Sequence, residues 1–170
     1  SSDWSSDVCS SDLTIENSFS EPLFGHINEL RSALDSAENV LYLGDNAGEI
    51  VFDRLLIQRL SENNVIYAVR GYPVINDVTM EDAEFVGMTD IVKVIDNGYD
   101  APGTVLERCS TQFREHFSQA DMVIAKGQGN YETLSHIDKN IFFILKAKCP
   151  VIARDIGCEQ GQFVIAKSAK

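Results

Sequence analysis

The chain has 170 residues, of which 44% are apolar and 24% are charged, as in an ordinary globular domain. Its formal charge of −12 argues against the basic surface that nucleic-acid binding normally needs. No apolar run approaches the roughly 20 residues of a membrane-spanning helix, and no signal-peptide pattern opens the sequence. The four cysteines form no CxxC pair, so we predict free thiols in a cytoplasmic protein.

Residues 1–13, SSDWSSDVCSSDL, contain three SSD repeats and no periodicity that a core could use. They resemble a translated adapter oligonucleotide, so we predict a non-native tail and a chain whose true N-terminus is missing. A genuine disordered tail is the alternative. Residues 14–170 are predicted to form a single α/β domain.

Apolar periodicity predicts strands alternating with helices. Apolar residues three and four positions apart predict helices over about 21–37, 49–60, 105–118 and 131–136. Continuous apolar runs predict strands at 40–43, 65–69, 91–95, 121–125, 141–146 and 163–166, the last at a sheet edge. The alternation predicts a parallel-rich sheet with helices on both faces.

Three further local patterns refine this scheme. In the helix over 49–60, the apolar spacing runs through Ile50, Phe52, Leu55, Leu56 and Leu60. Thr79 is predicted to cap a short helix, with Asp82 as its acidic partner. Pro150 and Gly157 indicate a helix of one or two turns, and a short strand is the alternative.

Polar loops follow three of the predicted strands and should gather at one edge of the sheet. The first carries Asp45 and Asn46. The second and third carry the remaining candidates: Arg70, Asn76, Asp77, Lys126, Gly127, Gly129 and Asn130. Two carboxylates and an amide are hard oxygen ligands for a divalent ion, while cations and helix-opening N–H groups suit a phosphate.

Each loop taken alone is a weak indicator. An Asp-Asn pair in a turn is more often turn chemistry, and Asp77 could simply begin a helix. The Lys126 loop lacks the GxxxxGK[ST] pattern of a Walker A motif. The common position of the three loops at strand ends is what favours a metal and phosphate site.

Four segments resemble the DUF89 family, the metal-dependent damage-control phosphatases with an ARMT1-like domain. The segments are GDNAGE (44–49), RGYPVINDVTMEDA (70–83), KGQGNYE (126–132) and IFFILKAKCPVIARDIG (141–157). The resemblance implies a Rossmann-like three-layer sandwich, with a mostly parallel sheet and helices on both faces. It also implies that this chain lacks the N-terminal helical region of similar full-length proteins.

The resemblance further implies metal ligation by Asp45, Asn46 and Asp77, and phosphate contacts from Lys126 and Asn130. We therefore predict a phosphatase for small phosphorylated metabolites that uses Mg²⁺, Mn²⁺ or a similar ion such as Ni²⁺ or Co²⁺. Asp45 and Lys126 are the predicted catalytic residues, and Arg70 and Gly127 complete the predicted phosphate site. The nucleophile is either an aspartate or a metal-bound water.

Two alternatives stay open at this point. A methyltransferase would bind S-adenosylmethionine after the first strand of such a sheet, although Arg70 stands where a ribose-binding acid is expected. An inactive fragment is the other alternative, because the N-terminal region is missing. The sequence predicts neither nucleic-acid nor membrane binding, and it leaves partner chains open.

Overall fold

The structure, a computed structural model, describes residues 21–60 and 63–168. The predicted non-native tail, residues 1–13, lies outside the described residues. The sheet consists of β1 (Phe24–Gly25), β2 (Asn39–Leu43), β3 (Asn64–Val69), β4 (Lys93–Asp96), β5 (Met122–Lys126), β6 (Ile141–Lys146) and β7 (Phe163–Lys167). The helices are α1 (Ile27–Ser36), α2 (Ile50–Ile57), α3 (Met80–Phe85), α4 (Thr111–Gln119), α5 (Gly127–Leu134) and α6 (Pro150–Ile156).

The seven strands form one sheet in the order β1-β7-β6-β5-β2-β3-β4. All neighbouring strands are parallel except β6 and β7, which are antiparallel. The chain builds outward from β2 through β3 to β4, and then returns to the other side of β2 with β5. The strand order therefore reverses between β2 and β5, where ligands bind in open sheets of this kind.

Each face of the sheet has its own apolar core, which explains why the strand sequences are almost continuously apolar. Tyr42 and Ile124 belong to the core that packs against α1, α2 and α3. Leu43 and Phe143 belong to the other core, which packs against α4, α5 and α6. The predicted mostly parallel α/β sandwich with helices on both faces is confirmed.

The local signals at Thr79 and Pro150 are also confirmed. The Asp82 carboxylate accepts hydrogen bonds from the backbone N–H and the hydroxyl of Thr79, at 2.8 and 2.7 Å. Pro150 begins α6, and Gly157 ends it in the left-handed conformation at φ 82°, so the strand alternative for this segment is wrong. Cys109, Cys149 and Cys158 are free thiols, as predicted.

The buried face of α2 differs from the prediction. Phe52 and Leu55 are 61% and 57% exposed, whereas the buried residues of this helix are Ile50, Asp53 and Ile57. Spacing by three and four residues holds for this buried set as well. The helix has more apolar residues than positions that face the core. The apolar spacing therefore predicted the wrong buried face and gave no indication that Asp53 is buried.

Several element boundaries also differ. The first helix begins at Ile27 rather than near residue 21, because two preceding residues pair with β7 as β1. The predicted helix over 105–118 is a 3₁₀ turn at Leu106–Arg108 followed by α4, whose first turn Ser110 caps. The helix predicted from residue 131 already begins at Gly127. β7 lies one strand inside the sheet edge, which β1 forms.

The cap at Thr79 provides a stability test. We expect Asp82→Ala to lower the free energy of unfolding by about 1 kcal/mol, because two hydrogen bonds at the start of α3 lose their acceptor. Urea denaturation measures the change. Glu84→Ala, on the exposed side of the same helix, is the matched control, and an equal loss in both variants would contradict a capping role.

Candidate active site

The carboxyl ends of β2, β3 and β5 lie side by side at the reversal point. Leu43 of β2 pairs in register with Ala68 of β3 and with Ala125 of β5. The loops that follow these strands therefore meet at one edge of the sheet. They border a cavity of about 580 Å³, whose lining includes Asp45, Glu49, Asp77, Lys126, Gly127, Lys146, Lys148 and Phe163.

Asp45 lies against the backbone of the third loop. Its carbonyl accepts the N–H of Val78 at 2.7 Å, which ties the first loop to the second. Gly127 has φ +78°, and a Cβ atom there would overlap the Asp45 carboxylate. Only glycine combines this backbone conformation with such a close approach.

The environment of Asp45 is strongly acidic. Burial, followed by the negative charges of Asp77 and Glu49, raises the pKa of Asp45 to about 6. Among the residues that the structure describes, the Asp45 carboxylate has no hydrogen-bond partner. This end of the cavity therefore gathers negative charge that the protein itself does not fully compensate.

Arg70 lies beneath the cavity and does not line it. Its side chain is 2% exposed, and its Nε donates to Asp77 Oδ2 at 2.6 Å. Its Nη1 donates to Thr104 Oγ1 at 3.1 Å. A guanidinium fixed on two sides holds the Asp77 carboxylate at the cavity wall. The predicted contact between Arg70 and a phosphate stays a prediction.

Asn130 is fully buried and connects the ends of the strands. Its Nδ2 donates to the carbonyl of Lys126 at 2.8 Å and to that of Gly44 at 3.5 Å. Its Oδ1 accepts from the Thr104 hydroxyl at 2.7 Å and from Arg70 Nη2 at 3.4 Å. All hydrogen-bonding groups of this amide are thus directed at the protein, and a phosphate contact from Asn130 stays a prediction.

Asn46 occupies a turn beside the cavity. Its Oδ1 accepts the N–H of Gly48 at 2.7 Å, which is the Asx-turn geometry that its residue type favours. Its backbone forms an isolated antiparallel bridge with Asp77, so the two residues lie next to each other. The side-chain oxygen retains a second lone pair, and its role as a metal ligand stays a prediction.

Lys126 lies between two carboxylates at the end of β5. Its Nζ donates to Asp53 Oδ1 at 2.8 Å and to Glu49 Oε2 at 3.0 Å. Burial works to lower the pKa of Lys126, but the charges of Asp53 and Glu49 outweigh it and raise that pKa above its ordinary value. The ammonium group is therefore kept charged although it is largely buried.

Asp53 is the centre of a buried network that the sequence reasoning missed. It is 2% exposed and accepts hydrogen bonds from the Tyr42 hydroxyl at 2.7 Å and the Tyr67 hydroxyl at 3.0 Å. Asp53 lies three positions after Ile50 and four before Ile57, on the buried face of α2. The sequence did contain a signal, namely a charged residue in line with the apolar residues that face the core. Such a residue indicates a buried polar network, because a buried charge must be paired.

Comparisons with known proteins agree with this fold. A family model described as the damage-control phosphatase ARMT1-like domain matches residues 3–164. A damage-control phosphatase from Pyrococcus horikoshii is 45% identical over 144 residues, which are 82% of this chain and 50% of the relative. One from Archaeoglobus fulgidus is 41% identical over 133 residues, which are 76% of this chain and 46% of the relative.

An uncharacterized protein from Methanocaldococcus jannaschii is 41% identical over 167 residues, 95% of this chain and 53% of the relative. The crystal structure of a DUF89 family protein from Pyrococcus horikoshii superposes with a TM-score of 0.80 at 42% identity, covering 84% of this chain and 51% of that one. The fold and site define an α/β protein with a cavity at the reversal point of its sheet. The chain belongs to the DUF89 family, with an ARMT1-like domain.

The chain spans about half the length of the curated relatives that it matches. Within residues 21–60 and 63–168, none of the helices is long and apolar enough to cross a membrane.

The network around Asp53 generates a second stability test. We expect Asp53→Ala to lower the free energy of unfolding by about 3–5 kcal/mol, because Lys126 loses a buried partner and two tyrosine hydroxyls lose their acceptor. Thermal and urea denaturation measure the loss. Asp35→Ala, at an exposed position of α1, is the control, and similar unfolding midpoints for the two variants would contradict the structural role.

Proposed function

We propose that this protein hydrolyses small phosphomonoesters with the help of a bound divalent metal ion. The observation that carries the proposal is the meeting of Asp45, Asp77, Lys126 and Gly127 around one cavity. Two of the relatives are named damage-control phosphatases, which supports the same reaction. Because the chain spans about half of their length, the activity of the whole protein is part of the proposal.

The donor set suits a hard divalent cation. Asp45 and Asp77 provide carboxylates and Asn46 a neutral oxygen, the ligand types that Mg²⁺ and Mn²⁺ prefer. Among the residues that the structure describes, no three His, Cys, Asp or Glu side chains form a metal-binding group, and the proposed ligand set accordingly combines two carboxylates with the amide of Asn46. The unmatched negative charge around Asp45 favours a cation. Such an ion would polarise the phosphoryl group and neutralise its charge.

The protein's own residues then provide binding and orientation. The charged ammonium of Lys126 attracts phosphoryl oxygens and stabilises the negative charge that develops on them. The first N–H groups of α5, beginning at Gly127, lack partners within the helix and offer donors to an anion. Arg70 keeps Asp77 in place, and Asn130 keeps the start of α5 next to the end of β2.

In the proposed reaction, the bond between phosphorus and the ester oxygen breaks, and an oxygen atom from water becomes bonded to phosphorus. A proton from that water ends on the departing alcohol.

Membership of the DUF89 family does not favour the S-adenosylmethionine alternative. Arg70 stands where that cofactor's ribose would need an acid, and its side chain is hydrogen-bonded to Asp77 and Thr104.

A variant at Asp45 tests the proposal directly. We expect Asp45→Ala to abolish the release of inorganic phosphate from p-nitrophenyl phosphate or a sugar phosphate in the presence of Mg²⁺ or Mn²⁺. Asp35→Ala is the control for general effects of removing a carboxylate. Full activity in Asp45→Ala would rule out the assignment, and inactivity of the unsubstituted chain would favour the inactive-fragment alternative.

Gly127 tests the metal site without removing a ligand. We expect Gly127→Ala to weaken Mn²⁺ binding, because the new Cβ atom displaces the Asp45 carboxylate. The loss should be about tenfold or more, as is typical when a residue that orients a metal ligand is changed. Titration calorimetry measures the affinity. Gly157→Ala is a matched control, since Gly157 also has a positive φ but a Cβ atom added there would meet no other atom within 4 Å. Equal affinities in the two variants would contradict the proposed position of the site.

A further inference from the structure

The wall of the cavity at β6 and β7, two and three strands away from β2, carries two lysines and an aromatic ring: Lys146, Lys148 and Phe163. Ile144 of β6 pairs in register with Lys126 of β5. Lys146 lies two residues further along β6 and so projects from the same face of the sheet as Lys126. Strand spacing and rise place the Cα atoms of Lys126 and Lys146 about 8 Å apart.

The two lysines of this wall are compensated far less than Lys126. Lys146 Nζ lies 4.6 Å from the centroid of the Phe163 ring and 3.8 Å from Glu21 Oε2, which is beyond hydrogen-bond distance. Lys148 is exposed. Among the described residues, no carboxylate oxygen lies within 4.0 Å of its Nζ, the longest distance at which the two would form an ion pair. A basic wall in a chain with a net charge of −12 requires an explanation.

The part of the cavity between Asp45 and the two lysines is short and partly apolar. The side chains of Leu23 and Phe163 add apolar surface to this cavity. A phosphomonoester bound near Asp45 and Lys126 would therefore extend a short carbon chain past these side chains. Its far end would arrive at Lys146 and Lys148, where a neutral group would gain nothing from the two positive charges.

We propose that Lys146 and Lys148 bind a second anionic group of the substrate, a carboxylate or a second phosphate, at the end of a short carbon chain. This inference rests on the proposed phosphatase function, because it takes the Asp45 end of the cavity to hold the phosphate that is removed. The substrates are then small phosphomonoesters with two anionic ends. Glu21 competes with the second anion for Lys146.

Binding of phosphonates tests this wall without any turnover. With Mn²⁺ held constant, we expect the chain to bind 3-phosphonopropionate and 1,3-propanediphosphonate at least about tenfold more tightly than propylphosphonate, as one charge-assisted hydrogen bond would give. The double variant Lys146→Met, Lys148→Met should lose this preference and keep its affinity for propylphosphonate. Lys93→Met, outside the cavity, should keep the preference, and Glu21→Gln should increase it.

Two measurements separate a charge effect from a structural one. Equal thermal midpoints show that the methionine variants are folded. Raising the salt concentration from about 0.05 to about 0.5 M should reduce the preference in the unsubstituted chain, because mobile ions screen exposed charges, and should have little effect in the double variant. The same affinities for all three phosphonates, or an equal loss for all three in the double variant, would overturn the proposal.

Turnover distinguishes this proposal from the proposed function. With propyl phosphate and its 3-carboxyl and 3-phosphate derivatives as substrates, the double variant should raise KM about tenfold or more for the two substrates that carry a second anionic group and leave kcat nearly unchanged. A phosphonate preference without hydrolysis of any substrate would support the basic wall and refute the phosphatase. Hydrolysis with equal KM values for all three substrates would support the phosphatase and refute the wall.

Discussion

The buried amide of Asn130 joins the ends of β2 and β5 to the guanidinium of Arg70, and the geometry of the cavity depends on these bonds. An amide without partners in this position would be costly to bury, but each of its groups meets a partner from a different segment. The strand ends therefore cannot slide relative to one another without losing several hydrogen bonds. Because Asp45 follows the end of β2 and Lys126 closes β5, this constraint fixes the acidic and cationic groups of the cavity with respect to each other.

Two buried cations near the cavity, Arg70 and Lys126, are each matched by a carboxylate. Arg70 holds Asp77, and Asp53 holds Lys126 while accepting the hydroxyls of Tyr42 and Tyr67. These pairs leave the Asp45 carboxylate as the side with excess negative charge. The cavity thus combines side chains fixed by ion pairs with the uncompensated carboxylate of Asp45. This arrangement suits binding of a cation followed by an anionic substrate.

The strands and the site loops were predictable because they depend on local patterns. Runs buried on both faces are apolar throughout, and parallel strands bring their carboxyl ends to one edge. The burial of Arg70 was not predictable, because its partners Thr104 and Asn130 lie 34 and 60 residues away in the chain. The start of α5 was missed because Gly127 and Gly129 have low helix propensity, while the close approach to Asp45 requires glycine at the first of them. Asp53 was missed because exposed apolar neighbours on α2 produced a convincing helical stripe.

The reversed direction of β7 brings the segment that precedes this strand to the cavity. β7 is antiparallel to β6, so it brings its first residue, Phe163, to the edge at which the parallel core strands end. The segment that connects α6 to β7 contains Gly157 and Gly161, around which there is open space. Insertions or substitutions in this segment can reshape the far wall of the cavity without disturbing the loops that carry Asp45, Asp77 and Lys126. The two ends of the cavity are therefore encoded in separately adjustable parts of the chain.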